Sequence, residues 1–371
     1  MAAQNLTASA LTFAQARLES LFAMGQTTPS RYPWVNHLGA AEALLTEHTA
    51  RTSQIVNDQN QCVGHRVYWL KKGTDTIAYN STPGSFTFDC TIPSGQGPVS
   101  DTKTYTNNFA IVSRVEVDDD LCGNLFRDRG ADKRAQAATV VAERLKTGLY
   151  DIRPALNTKL INFLDTNKSA VNTEATLPSG ISFGSSTFTV TESVLSMQEP
   201  DTLTDLDAIA INNDMEDYFY VAGRNHFYNA RKNADYRVNN DAERDHARLL
   251  DDSWRMYWDI KNLDSTLSGS NSFIVDPGSY VFWDFVDNER SRDPREVDDD
   301  TFEYFIDDPI LMFQGRPLRV NVRYQRTCNG GNLTQMATTS THRWELILHG
   351  GLYTAPASED NHTGILKFKS A

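Results

Sequence analysis

No run of apolar residues in this chain approaches the ~18 that a membrane span requires. The start, MAAQNLTASALTFAQARLESLF, has no charged segment followed by an apolar one, so no secretory leader is expected. Synthesis and residence in a cytosol follow, and the sequons at Asn5, Asn80, Asn167, Asn332 and Asn361 then carry no glycosylation message. Cysteine is scarce. Cys62, Cys90, Cys122 and Cys328 include no CxxC pair, which excludes a zinc knuckle or a thioredoxin-type couple. They read as reduced thiols. Positive charge is also short: the formal net charge is -13. A general nucleic-acid binder needs a basic footprint, and an anionic membrane surface needs the same. Neither partner class fits.

The motifs of common chemistry are missing too. There is no Walker A loop, no GxGxxG and no HExxH, and the eight histidines show no close pairing. One pattern does look catalytic: Gly180-Ile181-Ser182-Phe183-Gly184 matches the GxSxG nucleophile elbow. That elbow needs a strand before it and a helix after it, to lift the serine hydroxyl above a sheet. Here TLPS precedes and the strand-like SSTFTVT follows, so Ser182 reads as part of a Gly/Ser turn. Asp118, Asp120 and Gly123 resemble the start of an EF-hand loop, but Cys122 and Arg129 break the ligand set at positions five and twelve. Asp298-Asp299-Asp300 reads as a charged loop. Between Gly223 and Arg248 the cations Arg224, Arg231, Lys232, Arg237, Arg244 and Arg248 are nearly cancelled by Asp235, Asp241, Glu243 and Asp245, which fits a salt-bridged surface or a subunit contact. No catalytic, cofactor-binding or metal-ligating residue is therefore expected, and the chain reads as a structural protein.

What is present is a large amount of core-forming sequence. The chain has 371 residues, 40% of them hydrophobic, enough for a packed interior. Leu11, Ala14, Leu18 and Leu21 recur at helical spacing, and Ala40 to Leu45 begins a second short helix. The Pro-containing TTPSRYPWVNHLG lies between them as an extended arm. From His65 to Val117 the period becomes two: Phe86, Phe88, Cys90 and Ile92 alternate with polar residues. So do Ile111, Val115 and Val117, with a gap at Ser113. This predicts a long two-stranded ribbon, which on its own would be marginal in water and leave open edges.

The long helix is the strongest signal. Ala131, Ala135, Ala138, Ala142, Leu145, Leu149, Ile152, Leu156, Leu160 and Phe163 step by three and four, in phase across Pro154. A proline inside a helix costs about 3 kcal/mol. Each large apolar side chain on the stripe returns roughly 1.5–3 kcal/mol when buried. One kinked helix from Ala131 to Lys168 is predicted, with Asp118-Asp119-Asp120 upstream as negative charge favouring its start if it begins early. A second helical stretch is expected from Asp205 to Tyr218 and a third from Asn239 to Asp252. Strands are expected at Thr187–Thr191, Phe273–Val275, Tyr280–Val286, Leu318–Tyr324, Trp344–Leu348 and Ile365–Phe368. The class is α+β.

This order of elements resembles the major capsid proteins of tailed phages, the Hong Kong 97 type of shell subunit. Helix Ala131 to Lys168 resembles the family's spine helix, and His65 to Val117 its extended loop. DLDAIAINNDMEDYFYVAGRN is similar to the helix and strand that enter the axial domain; SFIVDPGSYVFWDF and the late LRVNVRYQ also suit it. The resemblance implies an N-terminal arm (1–64), an extended β-ribbon loop (65–117), a peripheral domain with the spine helix (118–200), an axial domain (201–300) and return strands (301–371). It implies hexamers and pentamers of this chain closing an icosahedral shell around double-stranded DNA, with a separate scaffolding protein and a portal as partners. The place implied is the virion, after assembly in the host cytoplasm. Some relatives crosslink through a Lys–Asn bond; Lys71, Lys72 and Lys103 fall in the ribbon, but nothing marks them for it. Two other readings stand beside this one: a tail-tube or connector subunit, and a serine hydrolase using Ser182.

Overall fold

The computed structural model describes residues 13–14, 16–18, 38–47, 53–58, 61–70, 98–104, 109–120, 131–169, 188–191, 194–197, 206–207, 209–211, 215, 217–228, 255–267, 271–284, 295–298, 301–313, 316–329, 339–355 and 363–370. In chain order the elements are α1 (Gly39–Thr46), β1 (Ser53–Asp58), β2 (Gln61–Leu70), β3 (Pro98–Thr104), β4 (Phe109–Asp120) and α2 (Ala131–Thr166). There follow β5 (Phe188–Thr191), β6 (Val194–Met197), β7 (Phe219–Ala222), β8 (Met256–Trp258), α3 (Ile260–Thr266), β9 (Asn271–Val275) and β10 (Tyr280–Asp284). The last are β11 (Arg295–Asp298), β12 (Thr301–Phe313), β13 (Arg316–Asn329), β14 (Thr339–Thr354) and β15 (Ile365–Ser370). The chain forms two compact units. Met1–Thr46, Asn107–Lys159 and Trp283–Gly351 make the first; Glu47–Thr106, Leu160–Phe282 and Leu352–Ala371 make the second.

α2 is one uninterrupted helix of 36 residues through Pro154, about 54 Å long at ~1.5 Å per residue. The apolar stripe explains why: Ala138, Ala142, Leu145, Leu149, Ile152, Leu156 and Leu160 are all buried. Ala137, Val141, Ile161 and Leu164 widen the buried face. Ala135, expected on the stripe, is exposed. Burial of seven or so large side chains outweighs the single proline.

In the first unit α2 lies on an antiparallel sheet in which β4, β14, β13, β12 and β11 run in that order. Period-two alternation sets the inward rows. Val115, Trp344, Tyr324 and Phe302 are cross-strand neighbours, all buried; Ser113, Leu346, Val322 and Tyr304 form the next row. The helix crosses the strands and touches them at successive points. Ser113 Oγ donates to Asp151 Oδ2 at 3.2 Å from β4, so the gap in the alternation at Ser113 is a polar contact with the helix. At β14 the approach is closer. A Cβ on Gly148 would lie 2.7 Å from Leu346 Cδ1. Gly148→Leu is therefore expected to overpack this crossing and cost about 1–3 kcal/mol in urea denaturation. Gly148→Ala should stay within about 1 kcal/mol of the parent, because gained helix propensity offsets a small shift of the Leu346 side-chain tip. α1 meets α2 through Ala41 N–H, which donates to the buried Asn157 Oδ1 at 2.7 Å.

The second unit holds a mixed sheet in the order β5-β6-β15-β9-β7-β8. β7 and β9 are buried along their whole length, as expected of strands covered on both faces. Residues 206, 207 and 209–211 form a helical segment. Its Leu206, Ile209 and Ala210 pack with Tyr220, Ile274, Leu366 and Phe368. Gly364 has φ +77 and a Cβ there would lie 2.7 Å from that of Ser279, so this turn needs glycine.

Three expectations meet a different arrangement. The ribbon does not run from His65 to Val117. β2 pairs with β3, from Gly64 opposite Thr104 to Leu70 opposite Pro98, and β1 pairs along its other edge. The result is a three-stranded sheet, which satisfies both edges of β2 where a two-stranded ribbon would leave one open. Phe109–Asp120 pairs instead with β14 over its full length, from Phe109 opposite Gly350 to Asp120 opposite Thr339. Second, Asp118-Asp119-Asp120 ends that strand opposite Thr341, Ser340 and Thr339, and is not part of the turn that starts α2. Third, the helix expected from Asp205 to Tyr218 is finished before Tyr218; strand β7 begins at the next residue. The run Phe86–Ile92 and the stretch Asn239–Asp252 lie outside the described residues.

Candidate functional site

Ser182 lies outside the described residues, and the next described element, β5, is a strand where an elbow serine needs a helix. Asp298 sits in β11 opposite Thr301. Asp299 and Asp300, like Lys71 and Lys72, lie outside the described residues, and Lys103 is in β3 opposite His65. Of the Gly223–Arg248 cations, Arg224 is described: it pairs with Asp264 at 2.9 Å, and the others, with Asp235, Asp241, Glu243 and Asp245, lie outside the described residues. Among the described residues no group of three or more His, Cys, Asp or Glu side chains is placed to hold a metal ion. No helix among them is long and apolar enough to cross a membrane.

The ionisable side chains that the fold does bring together are structural pairs. Arg153 is fully buried on α2. It donates from Nε to Asp308 Oδ2 at 2.7 Å and from a terminal nitrogen to Oδ1 at 2.5 Å, while Leu311 N–H also donates to Asp308. Asp284 receives Arg316 through two nitrogens and the backbone N–H of Arg319. Burial raises the Asp284 pKa, and Arg316 opposes that without reversing it. In the second unit Asp207 accepts the hydroxyls of Tyr218 and Tyr220. Burial first, then the hydrogen bond to Asp207 and its charge, pushes both tyrosines well above their usual range, so both hydroxyls stay protonated at neutral pH. Glu47 accepts from Tyr257 Oη at 2.5 Å and faces Arg255, which is anchored to Asp217. None of these sets is a nucleophile beside a base.

The outward face of the first unit's sheet carries a ladder of charged side chains. Arg114, Glu345, Arg323 and Glu303 stand opposite one another on successive strands, alternating in sign. Arg114 Nε lies 2.9 Å from Glu345 and Arg343 Nε 2.5 Å from Glu116. Exposed pairs of this kind add little stability each, but the alternation keeps an edge strand from pairing indiscriminately. Sequence reasoning found β4, β13 and β14 but not β12, and missed this ladder, because facing partners depend on register.

No family model matches the chain, and no curated protein matches it. Among solved structures, one from Mycobacterium phage Che8 aligns with 86% of this chain and 93% of its own, at 12% identity and a TM-score of 0.39. The mature capsid of bacteriophage PhiM1 aligns over 85% and 83%, at 9% identity and a TM-score of 0.40. The capsid of cyanophage P-SCSP1u aligns over 88% and 86%, at 9% identity and a TM-score of 0.34.

Proposed function

We propose that this chain is the shell-forming subunit of a tailed-phage capsid, a structural protein of the Hong Kong 97 type rather than an enzyme. The observation that carries the reading is the order of elements. A separate β1–β3 sheet precedes a 36-residue helix laid across a sheet that joins β4 to strands from the last third of the chain. In this reading residues 118–200 build the peripheral domain around the spine helix and residues 201–300 the axial domain. The 301–371 segment returns to both units, with β12 and β13 in the first and β15 in the second. The β1–β3 sheet, from Ser53 to Thr104, is the extended loop, shifted toward the N-terminus from the His65–Val117 span that the sequence suggests. Copies of the chain form hexamers and pentamers around double-stranded DNA in the virion, with a separate scaffolding protein and a portal as partners. The net charge of -13 suits an inner wall that encloses DNA without gripping it.

Electron microscopy of the purified chain, alone and co-expressed with candidate scaffolding protein, tests this. Closed shells or capsomer-sized rings are expected. A chain that stays monomeric at high concentration under both conditions sinks the proposal. Tubes or rings of one fixed diameter that never close move it to the tail-tube or connector reading. A fluorophosphonate probe is expected to leave Ser182 unlabelled.

A further inference from the structure

His226 is a buried titratable side chain with neither an ion pair nor a hydrogen-bond partner among the described residues. It is 1% exposed. Both ring nitrogens lack a hydrogen-bond partner among the described residues, as does the neighbouring Trp258 Nε1. The imidazole is enclosed by rings. Tyr220 of β7 stacks on it at 6.3 Å, Phe368 of β15 meets it edge-on at 5.1 Å, and Trp258 of β8 lies tilted at 6.1 Å. Buried polar nitrogens are nearly always satisfied, so this site carries a cost that an apolar residue would avoid.

The surrounding charges are engaged elsewhere. On the His226 segment itself, Arg224 pairs with Asp264 of α3. Behind Tyr220, Asp207 is held by two tyrosine hydroxyls. Beside Trp258, Asp259 caps α3 by accepting from Asn262. Next to Phe368, Lys367 binds Asp165 at 2.5 Å, and Lys168 joins the same carboxylate. Among the described residues no carboxylate is positioned to receive a proton-bearing imidazole, which would present two N–H donors with none of these groups to accept them. Burial alone holds the ring's pKa down to about 4. The stacked Tyr220 face offsets only part of that cost.

We propose that His226 is an acid-triggered latch. Its uncharged ring holds the helical turn of residues 224–228 onto the β7–β8 side of the second unit's sheet, and protonation releases that turn together with β8. The turn is the element that gives way because it is short and lies beside the edge strand β8. Its contacts include the rings, the Arg224–Asp264 pair, Gly223 N–H donating to Ser272 Oγ at 2.9 Å and Phe227 N–H to Gly223 O at 3.0 Å. β9, paired on both sides by β7 and β15, stays. The sign follows from the two protonation states. The released ring titrates near ~6.5 and the docked ring near 4. Docking is therefore fully favoured above about pH 6.5 and weakens as the pH falls toward 4, levelling off below it.

Amide hydrogen exchange on the full unassembled chain reads this out, after correction for intrinsic rates. Between pH 7.5 and pH 5, protection in Arg224–Tyr228 and Met256–Trp258 should fall about 30-fold, while β9 keeps its protection. In His226→Phe the same segments should change less than about threefold, since no proton is taken up. NMR titration of the unsubstituted chain supplies a second measurement that does not depend on the variant folding, with an imidazole midpoint near 4 expected. A midpoint near ~6.5 in the folded chain, unchanged wild-type protection at pH 5, or an acid response in His226→Phe equal to the parent's would each overturn the proposal.

Discussion

Replacing Asp308 by alanine is expected to destabilise the first unit by about 3–5 kcal/mol, enough to leave much of the chain unfolded at 37 °C. The reason is the guanidinium left behind. Arg153 is fully buried on the helix face that packs on the sheet, and Asp308 is 1% exposed. The two are joined by two charge-assisted hydrogen bonds. Removing the carboxylate strands a charge in a medium that cannot solvate it. Removing both partners is a different experiment. Arg153→Met with Asp308→Leu is expected to lie within about 1–2 kcal/mol of the parent, because it also removes the desolvation cost of the pair. Urea midpoints of the parent, Arg153→Met, Asp308→Leu and the double variant close the cycle, with Asp308→Ala measured beside them. A double variant as unstable as Asp308→Ala would show that the pair contributes net stability. The expected partial or full rescue assigns it a different role, fixing where α2 sits along β12.

That pair also marks the boundary of what the sequence reveals. The α2 stripe was legible because its steps of three and four survive Pro154 unbroken. β13 was legible because Leu318, Val320, Val322 and Tyr324 alternate with polar residues, and all four are buried. Its neighbour β12 carries no such signal: TFEYFIDDPILMF has two adjacent aspartates and a proline in its middle. Asp308 looks like a loop residue until Arg153, 155 positions earlier, is seen to need it. Asp307 is likewise buried, with Arg319 at 3.7 Å. The register shift between Asp308 and Met312 is where the strand absorbs the irregular segment. The ribbon failed for a related reason. Period two shows that Phe109–Asp120 is a strand, but not that its partner is β14, more than 200 residues later. Alternation fixes which face is buried; it leaves the choice of neighbour to long-range packing. His226 was invisible for the converse reason, since nothing local distinguishes a histidine inside an aromatic box from one in a charged loop.

The second large effect concerns Trp344, at the centre of the first unit's inward row. It is fully buried, opposite Val115 on one side and Tyr324 on the other. Its ring lies 5.3 Å from that of Tyr324 and 6.3 Å from that of His342. Trp344→Ala is expected to cost about 3–5 kcal/mol, the transfer loss of a large aromatic plus the cavity it leaves. Trp344→Phe should behave very differently. Trp344 Nε1 has no hydrogen-bond partner among the described residues, so the smaller ring removes an unsatisfied donor while it gives up some volume. The two effects are of similar size, about 1–2 kcal/mol each and opposite in sign, and a net change within about 1 kcal/mol is expected. Thermal and urea unfolding of the two variants side by side measure the difference. Equal losses for alanine and phenylalanine would mean that the indole N–H is satisfied in solution, with a buried water as its natural acceptor. A large gap between them shows that the row is held by ring volume, and that the sheet under α2 depends on aromatic packing more than on the charged ladder on its outer face.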